Sequence, residues 1–337
     1  MKSLYLSLLT LIVMSLTNAQ AADAEVNVYS YRKPALIEPM FDVFTEQSGI
    51  EVNVVFAKKG MLERLKSEGL NTPADLVFTV DIGRLSDIKN AGLTQSVESV
   101  DLNESIPGYA RDPQGHWFGL TSRARVIVTS KGRVNEGEVV SYEDLADAKL
   151  KGRICTRSAK NAYMVALTAS MIAHHGEAQA EQWLNGMKSN LARKPQGNDR
   201  AQVKAISEGQ CDIAVINHYY MHAMLQDPEQ RKAAESVNVV FPNQADRGTH
   251  MNISGMALTK HAKNKDNAMQ LMTFLASKAA QKMYADVNGE YPISDGIALK
   301  DNLAAWGDFM RDEVDLTAVA NNRSAAIKMA DRVAYDD

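Results

Sequence analysis

The chain has 337 residues, of which 45% are hydrophobic and 23% are charged, and its formal net charge at pH 7 is −4. This slightly acidic balance argues against nucleic acid or an anionic membrane as the main partner. The length exceeds what one hydrophobic core usually fills, so we expect a globular protein of two lobes.

The first residues have the pattern of an export signal. Lys2 is followed by an apolar stretch at residues 4–16 and by the small-residue sequence AQA at residues 19–21. We therefore predict a signal peptide over residues 1–21. Neither this stretch nor any later one approaches the roughly 20 apolar residues of a membrane helix, so no membrane insertion is expected. No Cys follows where a lipoprotein needs one, so if the cell is Gram-negative the expected destination is the periplasm.

The first hundred residues alternate between strand and helix patterns. Strands are predicted at residues 25–29, 51–56 and 74–80, and helices at residues 36–47, 61–69 and 81–91. Asp81 is placed to cap the third helix, and Gly92 to end it. This βαβ spacing predicts a mostly parallel sheet with helices on its faces.

The remaining chain repeats this pattern with more helices. Strands are predicted at residues 125–129, 212–216, 237–241 and 253–258, and helices at residues 161–175, 178–189, 199–207, 264–277, 278–287, 303–312 and 323–331. Asp199 follows Asn198 at a helix start, and we expect a helix cap with a solvated charge there. Tyr219 and Tyr220 end an apolar strand pattern and open a further helix.

Two strand patterns, at residues 120–129 and 249–258, bracket the middle of the chain. If both cross between lobes, they form a hinge, and the middle region is a lobe inserted into the first. Ligands of open α/β sheets lie beyond the carboxyl ends of strands, so the expected binding site is a cleft between the lobes.

Cys155 and Cys211 are the two cysteines of the chain. An oxidising compartment favours a disulfide between them, which the chain-entropy model values at roughly 4 kcal/mol. The alternatives are a two-thiol metal site and a redox pair, although the sequence contains no CxxC and places no His close to either cysteine.

The adjacent Tyr219 and Tyr220 can hold one hard cation, or they can be half-buried aromatic residues with hydrated hydroxyls. A phenol has a pKa near 10, so it ligates well only when a strongly polarising cation displaces its proton. Fe³⁺ does so, whereas calcium prefers carboxylates and zinc prefers Cys or His. A tyrosine-rich site therefore points to Fe³⁺.

Arg32, Arg123 and Arg125 suit an anion, because the planar guanidinium matches the oxygens of carbonate, phosphate or a carboxylate. Each of them is also compatible with ordinary salt bridging. The sequence has no GxSxG, HExxH, P-loop or GxGxxG motif at the required strand-to-helix junctions, so we expect no enzyme. An exported enzyme on the same scaffold is the contrasting hypothesis.

Several segments together resemble periplasmic ferric-ion-binding proteins of iron ABC transporters. These segments are residues 29–32 (YSYR), 73–75 (PAD), 79–81 (TVD), 117–125 (WFGLTSRAR), 191–197 (LARKPQG) and 217–220 (NHYY). The resemblance covers nearly the whole predicted mature chain, and the joint occurrence of the segments is far more specific than any one of them.

The resemblance implies an α/β, two-lobed type II periplasmic binding protein with a hinge of two crossing strands. The first lobe is then predicted at residues 22–122 and 254–302, and the second at residues 123–253 and 303–337. The implied function is a monomeric receptor that captures Fe³⁺ and hands it to an inner-membrane permease. A receptor for an anion or a small organic solute on the same scaffold is the alternative.

The resemblance also implies the site residues. Tyr163, Tyr219 and Tyr220 are the implied phenolate ligands, and Arg32 and Arg123 the implied holders of a bound anion, namely carbonate. Three phenolates balance the charge of one Fe³⁺ and leave coordination positions open for that anion or for water.

One turn departs from the family pattern. Other branches place a His-Tyr pair after the first strand's arginine, where this chain has Lys33 and Pro34. This departure argues against ligands from that turn and favours an exogenous anion or water. Whether Tyr31 or His218 adds a ligand stays open at this point.

Overall fold

The computed structural model describes residues 24–337, and the predicted signal peptide lies outside the described residues. The strands are β1 Glu25–Ser30, β2 Glu51–Phe56, β3 Leu76–Thr79, β4 Phe118–Ser130, β5 Ile154–Cys155, β6 Ile213–Asn217, β7 Val237–Val240, β8 Met251–Leu258 and β9 Tyr291–Pro292. The helices up to the middle of the chain are α1 Glu38–Ser48, α2 Met61–Glu68, α3 Ile82–Asn90, α4 Val100–Ser105, α5 Ala162–Ser189 and α6 Asp199–Ser207. The later helices are α7 His218–Gln226, α8 Pro228–Glu235, α9 Lys265–Ala276, α10 Lys278–Asn288, α11 Asp301–Ala305, α12 Leu316–Asn321 and α13 Arg323–Arg332.

The strands form one mixed sheet in the order β2-β1-β3-β8-β4-β6-β5, with β7 and β9 also paired to β4. Strand β1 runs parallel to β2 and β3, and β5 runs parallel to β6. All four partners of β4, namely β6, β7, β8 and β9, run antiparallel to it, and β3 and β8 are also antiparallel. The prediction of a mostly parallel sheet is therefore wrong for the centre of the sheet, where β4 and β8 run against their neighbours.

Strand β4 joins two halves of the molecule. Its start, Phe118 to Ala124, pairs with β8, while its end, from Arg125 onward, pairs with β6 and β7. We define the first half by β1, β2, β3, β8, β9 and the start of β4, and the second half by β5, β6, β7 and the end of β4. All 13 residues of β4 are buried, as expected for a strand covered on both faces.

Each half has its own apolar packing. In the first half, α1, α9 and α10 bury side chains such as Phe41 and Leu271 against the sheet. In the second half, α5 and α13 pack together through residues such as Leu167 and Met329. Helix α12 contributes to both, because Leu316 lies in the first-half core and α12 also contacts α5. The lobe boundaries given above stay a prediction.

Several predicted helix ends are confirmed. Asp81 caps α3 by accepting a hydrogen bond from the Arg84 backbone nitrogen at 3.0 Å. Gly92, just past α3, has a φ of 67°, a conformation that glycine adopts without steric cost. The two helices predicted at residues 161–175 and 178–189 meet within α5 at Gly176, whose φ of 79° and ψ of 164° are not helical.

The helix predicted at residues 303–312 is wrong beyond Ala305, where α11 ends. The left-handed Gly307 lies just after the end of α11. Met310 and Asp312 instead hydrogen-bond to the backbone of Thr249, the segment that leads into β8. No helix within residues 24–337 is long and apolar enough to cross a membrane.

The predicted disulfide is present and links Cys155 to Cys211. Cys155 ends β5, and Cys211 lies two residues before β6, so the bond ties neighbouring parallel strands of the second half. Both cysteines are buried.

Candidate metal centre

A cleft of about 910 Å³ lies between the two halves. The first half contributes Tyr31, Arg32 and Glu290 to its lining, among others, and the second half contributes Tyr163 and the neighbouring tyrosines of α7. Six further Lys and Arg residues line the cleft, namely Lys33, Lys58, Arg84, Arg123, Arg157 and Arg200. The cleft is therefore strongly positive, which favours anionic ligands.

The structure brings together the three predicted tyrosine ligands. The Tyr219 hydroxyl donates a hydrogen bond to the Tyr163 hydroxyl at 3.2 Å, and the rings of Tyr219 and Tyr220 have centroids 4.4 Å apart. All three tyrosines are half-buried and line the cleft. The two elements that carry them are the starts of α5 and α7.

Local sequence explains why the tyrosines stand at helix starts. The Asn161 side chain caps α5 by accepting from the Tyr163 backbone nitrogen at 3.0 Å. Asn217 ends β6 in an extended conformation, and the next residue begins α7. A strand would send neighbouring side chains to opposite faces, whereas this first helical turn lets Tyr219 and Tyr220 reach the same cleft.

The phenols of the pair are protonated at neutral pH when no metal is bound. Burial raises the pKa of Tyr219 well above its usual value, and the nearby phenols of Tyr163 and Tyr220 raise it further. Burial also raises the pKa of Tyr220, to about 12. Only a strongly polarising cation overcomes such shifts, which limits the metals that these side chains can bind.

A buried carboxylate lies behind the tyrosines. Asp199 is 0% exposed, and its carboxylate accepts hydrogen bonds from Arg125 Nη1 at 2.6 Å and Arg157 Nη1 at 2.8 Å. It also accepts from the Asn217 backbone nitrogen at 2.9 Å. The prediction of a solvated charge at Asp199 is therefore wrong, although Asn198 does cap α6 as predicted. Two arginines from other elements make its burial tolerable.

These arginines also face the ring of Tyr163. The guanidinium carbon of Arg157 lies 5.1 Å from the ring centroid, and those of Arg123 and Arg125 lie 5.9 Å from it. A cation over an aromatic face is attractive, so these contacts help to fix the Tyr163 ring beside the arginines.

The two predicted anion-binding arginines share a second buried carboxylate, that of Glu290. Arg32 Nη2 donates to both Glu290 carboxylate oxygens at 3.1 Å. Arg123 Nη1 lies 4.0 Å from Glu290 Oε1 and donates to Ser254 Oγ at 2.8 Å. Thr121 also donates to Glu290, and Arg32 Nη1 to Ser254. The sequence reasoning missed Glu290.

The pKa of Glu290 reflects these partners. Burial alone would raise it, but the charges of Arg32 and Arg123 and the hydrogen bond from Thr121 hold it below its usual value. The carboxylate is therefore ionised at neutral pH. The Nε atoms of Arg32 and Arg123 are buried and have no hydrogen-bond partner within residues 24–337.

The two additional ligand candidates are both engaged elsewhere. The Tyr31 hydroxyl accepts a hydrogen bond from the Leu62 backbone nitrogen at 3.1 Å, although the side chain lines the cleft. His218 Nδ1 accepts from the Ala124 backbone nitrogen at 3.1 Å, and its ring stacks on Tyr291 with centroids 4.4 Å apart. Burial lowers the pKa of His218 to about 3, so it is a neutral core histidine.

His222 lines the cleft and was missed by the sequence reasoning. Its position three residues after Tyr219 on α7 is the signal that could have found it, because such residues share a helix face. Burial lowers its pKa, and its Nδ1 has no partner within the described part of the chain. Across residues 24–337, no group of three or more His, Cys, Asp or Glu side chains could hold a metal.

Comparison with known proteins decides the family. The family described as bacterial extracellular solute-binding protein matches residues 55–311. The chain belongs to this family. Iron uptake protein A1 of Synechocystis sp. is a relative 42% identical over 92% of this chain and 87% of its own length.

Two solved structures of the family show the same fold. The apo ferric ion-binding protein A of Pasteurella haemolytica is 48% identical, with a TM-score of 0.88 over 93% of this chain and 98% of its own. A Trichodesmium protein in complex with iron and citrate ligands is 41% identical, with a TM-score of 0.89 over 93% and 100%. The resemblance to ferric-ion-binding proteins and the two-lobed periplasmic binding protein fold are thereby confirmed.

Proposed function

We propose that this protein is a periplasmic receptor that captures ferric iron and delivers it to an inner-membrane ABC transporter permease. The observation that carries the proposal is the meeting of Tyr163, Tyr219 and Tyr220 on one wall of the cleft between the halves. The names of the relatives, an iron uptake protein and ferric-binding proteins, support the same cargo. The protein acts as a monomer and without catalysis.

The three tyrosines are the proposed iron ligands, each bound as a phenolate. Three phenolates carry three negative charges, which balance the charge of Fe³⁺. The metal can therefore be bound at this wall of the cleft without carboxylate ligands. The raised pKa values of Tyr219 and Tyr220 select for a hard, strongly polarising cation, because a weaker Lewis acid would not displace the phenolic protons.

An exogenous anion completes the coordination, and Arg32 and Arg123 are its proposed holders. Carbonate is the anion we propose, taken up in its singly charged hydrogen carbonate form, since its size and planar shape suit a guanidinium. Citrate accompanies iron in the Trichodesmium protein, so it is the second anion to test. The excess of basic side chains along the cleft supports either choice.

The test is the visible spectrum of the purified protein as ferric iron is added. Phenolate ligands give a charge-transfer band, which we expect in the wild type and expect to be lost or greatly weakened in Tyr219→Phe and Tyr220→Phe. Tyr109→Phe is the matched control, because Tyr109 is half exposed and does not line this cleft. A wild-type protein that stays colourless and has no iron affinity would overturn the proposal.

A receptor for an anion or a small organic solute is the second candidate. It is favoured by the seven Lys and Arg side chains that line the cleft beside a single acidic one, Glu290. Calorimetry separates the two candidates. Tight binding of an anion by iron-free protein, with no gain on adding Fe³⁺, would favour the anion receptor.

A further inference from the structure

We propose that Glu290 is a specificity-determining residue, whose carboxylate occupies the guanidinium of Arg32 and thereby limits the charge of the anion that the cleft accepts. This inference rests on the proposed function, in which Arg32 and Arg123 hold the anion that completes the ferric site.

The first observation is that Glu290 occupies hydrogen-bond donors of Arg32. Its two oxygens each accept from Arg32 Nη2 at 3.1 Å, and Thr121 and Ser254 take up the remaining polar contacts of the cluster. Only the Nε of Arg32 has no partner within residues 24–337. An incoming anion therefore meets an arginine whose Nη2 is already bound to an internal carboxylate and whose Nη1 is bound to the Ser254 hydroxyl.

The second observation is the position of Glu290. It is 5% exposed, yet it lines the cleft together with Arg32 and Arg123. A carboxylate at this place acts on any anion that reaches the two arginines. This part of the cleft thus contains the arginine donors that can bind an anion and a fixed carboxylate that competes with the anion for those donors.

The net charge of this cluster determines which anions it binds most tightly. Arg32 and Arg123 supply two positive charges and Glu290 one negative charge, so the cluster matches a monoanion such as hydrogen carbonate. Phosphate dianion and citrate are repelled by Glu290 in a poorly solvated site, where charge interactions are less screened. Replacing Glu290 by a neutral side chain should favour those anions.

A purely structural role is the competing explanation, because Glu290 also contacts Thr121 on β4 and is coupled through Arg32 to Ser254 on β8. Loss of a structural contact would lower the stability of the protein and weaken the binding of all anions alike. It would not change their order of affinity. The ranking of anions is therefore the measurement that separates the two roles.

The experiment is calorimetry on iron-free protein with hydrogen carbonate, phosphate and citrate. For Glu290→Gln, which keeps the size and one acceptor oxygen, we expect affinity for phosphate and citrate to rise at least tenfold relative to hydrogen carbonate. Glu290→Asp keeps the charge and is expected to keep the wild-type order. Glu143→Gln, at a carboxylate paired with Arg247 outside this cleft, is the control and should change nothing.

An unchanged anion order in Glu290→Gln, or no anion binding by either protein, would overturn the inference. Because the titrations contain no iron, their outcome is separate from that of the ferric proposal. If Glu290→Gln unfolds, the comparison of Glu290→Asp with wild type decides. A loss of the wild-type order in Glu290→Asp would then contradict a role based on charge.

Discussion

Two buried carboxylates lie between pairs of arginines beside the cleft, one in each half of the molecule. Asp199 in the second half bonds Arg125 and Arg157, and Glu290 in the first half bonds Arg32 at 3.1 Å and lies 4.0 Å from Arg123. The clusters look alike in composition. Their other contacts differ, and the difference fits two separate proposed roles, one in holding the tyrosines and one in selecting the anion.

Asp199 holds the tyrosine wall in place. It bonds the backbone nitrogen of Asn217, two residues before Tyr219, and its two arginines lie over the ring of Tyr163. One carboxylate thereby connects the starts of the two helices that carry the tyrosines. Glu290 bonds no backbone group of those helices and instead faces the cleft. A carboxylate sealed behind the site can orient ligands, and one that faces the cleft can compete with what enters.

The largest expected effect is that of Asp199→Asn. Removing this charge leaves Arg125 and Arg157 buried without their partner, and breaking a buried ion pair in this way costs about 3–5 kcal/mol. The free energy of unfolding in urea measures the loss, and the ferric charge-transfer band should weaken as well. A loss below about 1 kcal/mol with an unchanged band would show that the Asp199 cluster does not support the tyrosines.

Glu290→Gln should cost less, about 1–3 kcal/mol, because Gln can still accept a hydrogen bond from Arg32. The cost should also depend on pH. The pKa of Glu290 is lowered in the folded protein, so its stabilisation is fully present above the ordinary glutamate pKa and disappears as the pH falls below it.

The predicted pH dependence can be measured with unfolding curves of wild type and Glu290→Gln at pH 7 and in acid. We expect the two stabilities to converge in acid, where Glu290 is protonated. A difference that stays constant with pH would mean that the charge of Glu290 does not contribute to folding.

The smallest of these effects is expected at Gly289, where the halves touch. A Cβ at this position would lie 2.5 Å from His222 Cδ2, and the glycine has a φ of 64°. Gly289→Ala should therefore cost about 1–2 kcal/mol through backbone strain and displacement of the His222 ring.

The double variant Gly289→Ala with His222→Ala checks the cause. It should recover the part of the cost that comes from the clash, while the part due to φ remains. Thermal unfolding of the two variants and of His222→Ala alone gives the comparison. If the double variant recovers no stability, a clash with the His222 ring does not contribute to the cost of Gly289→Ala.

Much of the fold could be predicted from local sequence. Alternating apolar positions mark β1 and β2, Asp81 and Asn198 signal helix starts, and two cysteines in an exported chain imply a disulfide. The adjacent tyrosines could also be identified as a candidate site from local sequence, because they directly follow a predicted strand. The role of Tyr163 as a ligand was predicted only through the resemblance to the family.

The carboxylates could not be predicted in this way. Asp199 has the local pattern of an exposed helix start, and its burial depends on Arg157 and Arg125, which lie 42 and 74 residues away. Glu290 depends on Arg32, 258 residues away in sequence. Such pairs are set by how the two halves of the sheet are joined through β4, and no local pattern contains that information.

The most direct test of the central claim is the absorption spectrum of the iron-loaded protein with and without hydrogen carbonate. If three phenolates hold Fe³⁺ and an exogenous anion completes the shell, a charge-transfer band appears and its maximum shifts when hydrogen carbonate is added. Arg32→Ala should abolish that shift. An iron-loaded protein without the band, or a band that does not respond to hydrogen carbonate or any other anion, would contradict the account.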